Sequence, residues 1–281
     1  MVKIKFTKMH GLGNDYLFID RIREICKDNC PGDPSKLSKE MSDRHFGVGA
    51  DGIVIMLPPE EKSHDASMRI FNADGSEAEM CGNAIRCIAK YLYDEKIVKK
   101  KKMEIETGAG IIRPKIIGME NGEVKTVEVD MGKPVVKGLN KEIEVNGEKG
   151  KKRFIGNIIS MGNPHFVIFI KDLNDIDVEE IGPVIENHDL FPNRTNVEFV
   201  QVKNPKEIIM RVWERGSGVT LACGTGACAS VVAGIEKNLI ENDVTVHLLG
   251  GSLLVGINKE GHVIMTGPAE KVFLGEYDTK E

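Results

Sequence analysis

The chain has 281 residues, of which 41% are hydrophobic and 29% charged, with a formal net charge of −5. That is a globular composition with room for two ordinary cores, and an acidic balance without a basic face argues against nucleic acid as a partner. No apolar run approaches the roughly 20 residues that span a bilayer and no secretory leader is visible, so the expectation is a cytoplasmic protein that keeps its thiols reduced and does not engage a membrane.

In chain order, MVKIKFTKMH alternates like a strand, and a helix is predicted from Pro34 to His45. MRIFN reads as a strand and ADGSEAEM as a loop. A helix then spans residues 82–95, with Ala84, Ile85, Ile88, Ala89 and Leu92 on its core face and Arg86 and Lys90 off it. The run Lys99 to Lys102 follows as a solvated connector, where cations suit the negative end of a helix. Strands are predicted at MEIET, GIIRPKII and VKTVEVDM, and a short helix from Val178 to Glu186. IIMRVWE is a strand, RGSGVTLA a loop, residues 224–237 a helix, and DVTVHLL, GSLLVGIN and HVIMTG are strands. GTGACASVVAGI is small or apolar on every face, so it must be covered all round. Strands are the available cover, which predicts a sheet curled about that helix.

The chain repeats itself. SEAEMCGNAIRC (76–87) and VTLACGTGACAS (219–230) each place a cysteine before a glycine at a helix start, and Cys81 and Cys223 are 142 positions apart. At the same offset Arg69-Ile70-Phe71-Asn72 falls on Arg211-Val212-Trp213-Glu214, and TGAGIIRP on LGGSLLVG; upstream, GNDYLFI echoes GNPHFVIFI. Several matches in one order favour an internal duplication. The expectation is a mixed α/β protein of two pseudo-equivalent lobes, with the ligand held in a cleft.

A thiol at a helix N-terminus sits beside unpaired N–H groups and the positive end of the helix dipole, which favour the thiolate. The same N–H groups can hold a substrate carboxylate. Two such thiols can therefore serve one carbon, one removing its α-proton and the other supplying a proton to the opposite face, while the donors stabilise the charge that develops. The alternative is that Cys81 and Cys223 are small core residues. Cys87 and Cys228 are read that way, and Cys26 and Cys30 as incidental loop thiols. No two cysteines form a C-x-x-C pair, which argues against structural zinc.

MHGLGNDY, RHFGVGADG, FNADGSEAEMCGNAIRC, MGNPHFV, TNVEFV and WERGSGVTLACGTGACA resemble the diaminopimelate epimerase family, in the family's order from residue 9 to residue 229. The resemblance implies an α/β (α+β) fold of two pseudo-symmetric lobes, each a barrel-like, mostly antiparallel sheet around a central helix. It implies a first lobe over 1–122 completed by about 268–281, a second over 123–267, and a homodimer. It implies an isomerase of amino-acid biosynthesis that uses no metal and no cofactor, pyridoxal phosphate included, and takes a small-molecule substrate, diaminopimelate. Cys81 and Cys223 would be the catalytic pair. Asn14, Asn72, Asn163, Asn196, Glu214 and Arg215 would bind substrate, with Gly82-Asn83 and Gly224-Thr225 on the reacting carboxylate. A planar guanidinium at Arg215 suits the distal carboxylate. His165 is either a support for the reacting amine and thiols or a structural histidine, and the asparagines also suit turns. Gly52 stands where some family members carry a ligand-contacting Gln.

Three other readings fit parts of the pattern. A proline racemase or hydroxyproline epimerase shares the two-cysteine logic but has no second amino-acid end to bind, which Arg215 and Asn83 disfavour. A thiol redox or metal-binding protein would use all six cysteines. A non-catalytic relative would lack the pair.

Overall fold

The computed structural model describes residues 3–23, 32–147 and 150–279. Cys26 and Cys30 lie outside the described residues. The chain divides into two compact units, residues 1–129 with 267–281, and residues 130–266.

Unit 1 begins with β1 (Lys3–Gly11) and β2 (Asn14–Asp20), then α1 (Pro34–Ser42), β3 (Gly52–Leu57), β4 (Ala66–Asn72), β5 (Glu77–Ala78), α2 (Gly82–Asp94), β6 (Ile105–Thr107), β7 (Gly110–Ile112), and a hairpin of β8 (Pro114–Glu120) and β9 (Glu123–Asp130). Strand β2 runs antiparallel to β1 and parallel to β3, β4 antiparallel to β3 and parallel to β6, and β7 closes antiparallel on β6, while β5 pairs with β4. Asp33 caps α1 by accepting from the Ser35 N–H, with Pro34 pre-set at the first helical position. Helix α1 ends at Ser42, short of the predicted His45, because the Asp43 carboxylate takes the N–H groups of His45 and Phe46 and turns the chain.

Unit 2 holds β10 (Val135–Gly147), β11 (Gly150–Ser160), β12 (Pro164–Phe169), a single 3-10 turn, α3 (Val178–Glu186), β13 (Asn196–Asn204), β14 (Glu207–Glu214), β15 (Gly218–Val219), α4 (Gly224–Glu236), β16 (Val244–Leu248), β17 (Gly251–Ile257) and β18 (Val263–Pro268). The pairing repeats that of unit 1. β11 with β12 is antiparallel, β12 with β13 parallel, β13 with β14 antiparallel, β14 with β16 parallel and β16 with β17 antiparallel, with β15 on β14. In each unit one helix fills the first parallel crossover and the cysteine-led helix fills the second. One difference in order concerns the strand beside the first antiparallel pair. In unit 2 it is β10, which precedes β11; in unit 1 it is the C-terminal β19 (Glu270–Asp278), which pairs antiparallel with β1.

Helix α4 is buried at Gly224 and from Gly226 to Gly234, and packs on β11, β12, β13, β14 and β17, as the all-round apolar pattern requires. Helix α2 is buried from Gly82 to Leu92. Arg86 and Lys90 were expected off its core face, yet both are buried. Each is satisfied there: Lys90 Nζ meets Asp94 Oδ2 at 2.7 Å and the Val124 carbonyl at 2.8 Å, and the Arg86 guanidinium donates to the Pro268 carbonyl, the Gly82 carbonyl and Asn83 Oδ1. A buried cation persists only when its donors are paired in this way.

Candidate active site

Cys81 is the N-cap of α2 and Cys223 the N-cap of α4, both in extended backbone that turns directly into the helix. The two settings are built from equivalent strand positions. Tyr16 stands opposite Gly52 in unit 1, and His165 opposite Asn196 in unit 2. Two residues before each lies an asparagine, Asn14 and Asn163.

Around Cys81, Sγ donates to Asn14 Oδ1 at 3.5 Å, and Asn83 Nδ2 donates to the same oxygen at 3.0 Å. Asn14 is oriented from its other end by Asp51, whose Oδ2 accepts Asn14 Nδ2 at 2.8 Å, and Asp51 is itself paired with Arg44 at 2.9 Å. Asn83 is oriented by Arg86, whose Nη2 donates to Asn83 Oδ1 at 2.8 Å. An obligate acceptor at one end and an obligate donor at the other thus fix both amides. Tyr16 is buried beside Cys81; burial first, then the sulfur, push its phenol well above the ordinary range. Asn72, at the end of β4, bonds Ser76 Oγ at 3.0 Å within its own turn. Cys81 itself is half-buried.

Around Cys223 the sulfur accepts the Gly226 N–H at 3.4 Å and lies 3.6 Å from Thr225 Oγ1. Asn163 Nδ2 donates to Thr225 Oγ1 at 3.2 Å, Asn163 Oδ1 is 3.0 Å from His165 Nε2, and His165 Nδ1 is 2.6 Å from Glu198 Oε1. His165 and Glu198 are fully buried. Thr220 donates a short hydrogen bond to Glu214. Burial raises the Glu214 carboxyl above its ordinary range, against the hydrogen bonds from Thr220 and Cys223. Burial, then the carboxylates Glu214 and Glu198, push the Cys223 thiol well above its ordinary range, against the pull of Thr225 and the Gly226 N–H. Asn196 and Arg215 form a separate link, Asn196 Oδ1 accepting the Arg215 N–H at 2.9 Å, and Arg215 Nη1 reaches the Asn193 carbonyl at 3.3 Å. Glu186 ties down this loop by accepting from Trp213 Nε1 at 2.7 Å and from the Gly216 N–H at 3.0 Å.

Unit 1 thus gathers Cys81, Gly82, Asn83 and Asn14, with Asn72 in its own turn. Unit 2 gathers Cys223, Gly224, Thr225, Asn163, His165 and Glu214, with Asn196 and Arg215 bonded to one another. Tyr16, Asp51, Arg86 and Glu198 escaped the sequence reading. The GNDYLFI and GNPHFVIFI echo could have found Tyr16, since aligning the two glycines brings Tyr16 onto His165. Gly52 has a structural reason: a Cβ there would lie 2.2 Å from the Phe71 carbonyl oxygen, so β4 leaves no room for a side chain at this position. The buried Cys87 thiol is pushed up to about 12 by desolvation, and Cys228 is buried inside α4. Among the described residues no cluster of three His, Cys, Asp or Glu side chains is arranged to hold a metal ion.

The family model for diaminopimelate epimerase matches residues 6–137 and 157–272. A protein of Halothermothrix orenii named diaminopimelate epimerase is 50% identical over 293 aligned residues, covering 100% of both chains. One of Pelotomaculum thermopropionicum with the same name is 52% identical, covering 97% of this chain and 98% of its own. Among solved structures, a hydroxyproline epimerase from Agrobacterium vitis matches at a TM-score of 0.69 with 15% identity, over 98% of this chain and 91% of that one, a likeness of fold. The chain belongs to the diaminopimelate epimerase family.

Proposed function

We propose that the protein is a cofactor-independent epimerase that interconverts LL- and meso-2,6-diaminopimelate by moving a proton at one α-carbon, with Cys81 and Cys223 as alternating base and acid. The observation that carries this reading is the duplication itself. Two units of one topology each place a cysteine at the cap of a buried helix, with an asparagine from the equivalent strand beside its first turn. A single structural cysteine would not require that setting twice.

In this reading the first-turn N–H groups of α2 and α4, at Gly82-Asn83 and Gly224-Thr225, receive the reacting carboxylate and the charge that spreads into it as the carbon loses its proton. One sulfur takes the α-proton as a thiolate; the other gives its S–H proton to the opposite face. Proton count is conserved, and the enzyme ends with the roles of the sulfurs exchanged. Asn14, Asn72, Asn163 and Asn196 supply amide donors and acceptors to the amino-acid ends, Arg215 pairs with the distal carboxylate, and Glu214 and His165 support the Cys223 side. The reaction belongs to lysine and peptidoglycan-precursor synthesis, and we place it in the cytoplasm, where thiols stay reduced.

A homodimer fits the edge of unit 1. Among the described residues β19 pairs on one side only, with β1, and it exposes Val272, Phe273 and Leu274. An apolar strand edge of this kind invites a second copy. Light scattering of the protein and of Leu274→Lys reads this directly: the parent should run as a dimer and the variant as a monomer.

The activity test is conversion of LL- to meso-diaminopimelate by purified protein with nothing added. Cys81→Ala and Cys223→Ala should each abolish it, and in heavy water each inversion should install solvent hydrogen at the α-carbon. Turnover of proline or hydroxyproline in place of diaminopimelate would move the protein to the rival reading.

A further inference from the structure

Glu198 occupies a place where the other unit has a valine. Val54 stands opposite Phe18, two places beyond the Tyr16–Gly52 pair; Glu198 stands opposite Val167, two places beyond His165–Asn196. Both side chains are fully buried. Oε2 of Glu198 has no hydrogen-bond partner among the described residues. Leaving a buried polar group unpaired costs about 1–3 kcal/mol and more for a charge, so stability alone favours the valine. The other oxygen, Oε1, is 2.6 Å from His165 Nδ1. It also lies 2.8 Å from where a Cβ on Gly226 would stand, a point 3.2 Å from Cys223 Sγ. The carboxylate therefore stands between the imidazole and the first turn of α4, in a dry setting where charges are weakly screened.

We propose that Glu198 is a positioning residue for Cys223: it holds His165 at Nδ1, so that the ring is turned with Nε2 toward Asn163 and through it Thr225, and it sets negative charge against the α4 start so that the Cys223 sulfur rests as the proton-donating thiol. This rests on the reading of Cys223 as an acid–base group. The 2.6 Å contact of Oε1 with Nδ1 fixes the plane of the buried ring, and with it the 3.0 Å contact of Nε2 with Asn163 Oδ1 and the bond from Asn163 Nδ2 to Thr225 Oγ1. The groups that face the sulfur are Glu198 from β13, Glu214 with Thr220 from the β14 side, His165 through Asn163 from β12, and Thr225 and the Gly226 N–H on α4. Burial and the two carboxylates outweigh the two donors, which keeps the thiol protonated.

Glu198→Gln keeps the shape and removes the charge. Iodoacetamide labelling of the free enzyme across pH, resolved at each cysteine by peptide mass spectrometry, reads the two sulfurs separately. The Cys223 midpoint should fall by about one pH unit while that of Cys81 stays; an unmoved Cys223 midpoint overturns the proposal. In turnover kcat should fall at least about tenfold with KM within about threefold. Glu198→Val, which copies unit 1, should melt no lower than the parent and lose activity to the same degree; a lower melting temperature with turnover per folded molecule intact would make Glu198 a core residue only. The labelling needs no substrate, so failure to epimerise diaminopimelate would overturn the function and leave this result standing.

Discussion

Gly226 shows how tightly single residues are set around the second sulfur. A methyl group there would press on Glu198 Oε1 at 2.8 Å and on Cys223 Sγ at 3.2 Å. Alanine is the better helix former by about 1 kcal/mol, so Gly226→Ala should leave the melting temperature within a few degrees while lowering turnover at least about tenfold, read by calorimetry and by the epimerisation assay side by side. Arg86 makes the opposite prediction. Its guanidinium donates to the Pro268 and Gly82 carbonyls and to Asn83 Oδ1 in a fully buried place, and Arg86→Met removes those bonds. Urea denaturation should show a loss of about 3 kcal/mol or more, with Asn83 loosened and activity falling in step. Neither residue was legible as a working part. In NVEFV, alternation pairs Val197 with Phe199 inward and sends Glu198 out, but β13 lies inside the sheet and buries both faces from Asn196 to Val200. The cysteines were legible because a capping thiol followed by glycine is a local pattern. The residues around them come from distant strands, and only register brings them in.

At the scale of elements the repeat offset carried furthest. It located β4, α2, β14 and α4 within a residue or two, since helix starts and short β-branched runs are written locally. The β10–β11 hairpin went unread. Around Ile143 and Val145 one face is buried, while Lys151 pairs with Glu144 and Arg153 with Glu142 and Glu144 outside. So charged a stretch reads as a polar connector. Short elements are also held by side chains far along the chain. Glu106 on β6 accepts the N–H groups of Glu60 and Glu61 and meets His64 at 2.8 Å. Those two N–H groups first, then His64, hold its carboxyl down to about 2. A carboxyl whose folded value lies below its unfolded value of about 4.3 stabilises the fold above that pH, and the contribution fades as pH falls toward 2. Glu106→Gln should therefore be less stable than the parent at pH 6, and the gap should close between about pH 4.3 and 2. Thermal melts over that range measure it; a gap that stays constant with pH would mean the carboxylate charge is not what holds residues 60–64.

At the scale of the whole molecule, duplication explains why each unit carries a cysteine at the cap of its buried helix, and the path of the chain explains how unit 1 is finished. Its first strand is completed by the last one. β19 pairs with β1 from Lys3↔Asp278 to His10↔Glu270, Phe273 meets Phe6 edge-on at 5.9 Å, and the Pro268 carbonyl takes Arg86 Nε at 3.0 Å. Unit 2 has its corresponding strand, β10, directly before β11, so its ladder is local. Closing a contact over almost the full chain costs loop entropy before it returns any stability. The expectation is that unit 1 finishes last although it is made first, and that Arg86, the buried cation under the Cys81 helix start, lacks the Pro268 carbonyl until it does. A chain ended at Ala269 tests this. Hydrogen exchange read by mass spectrometry should show β1, β2 and the first turn of α2 losing protection, while β11 to β14 and α4 keep theirs. Equal loss in both sets of strands would show instead that the two units fold as one cooperative body and that β19 supports them together.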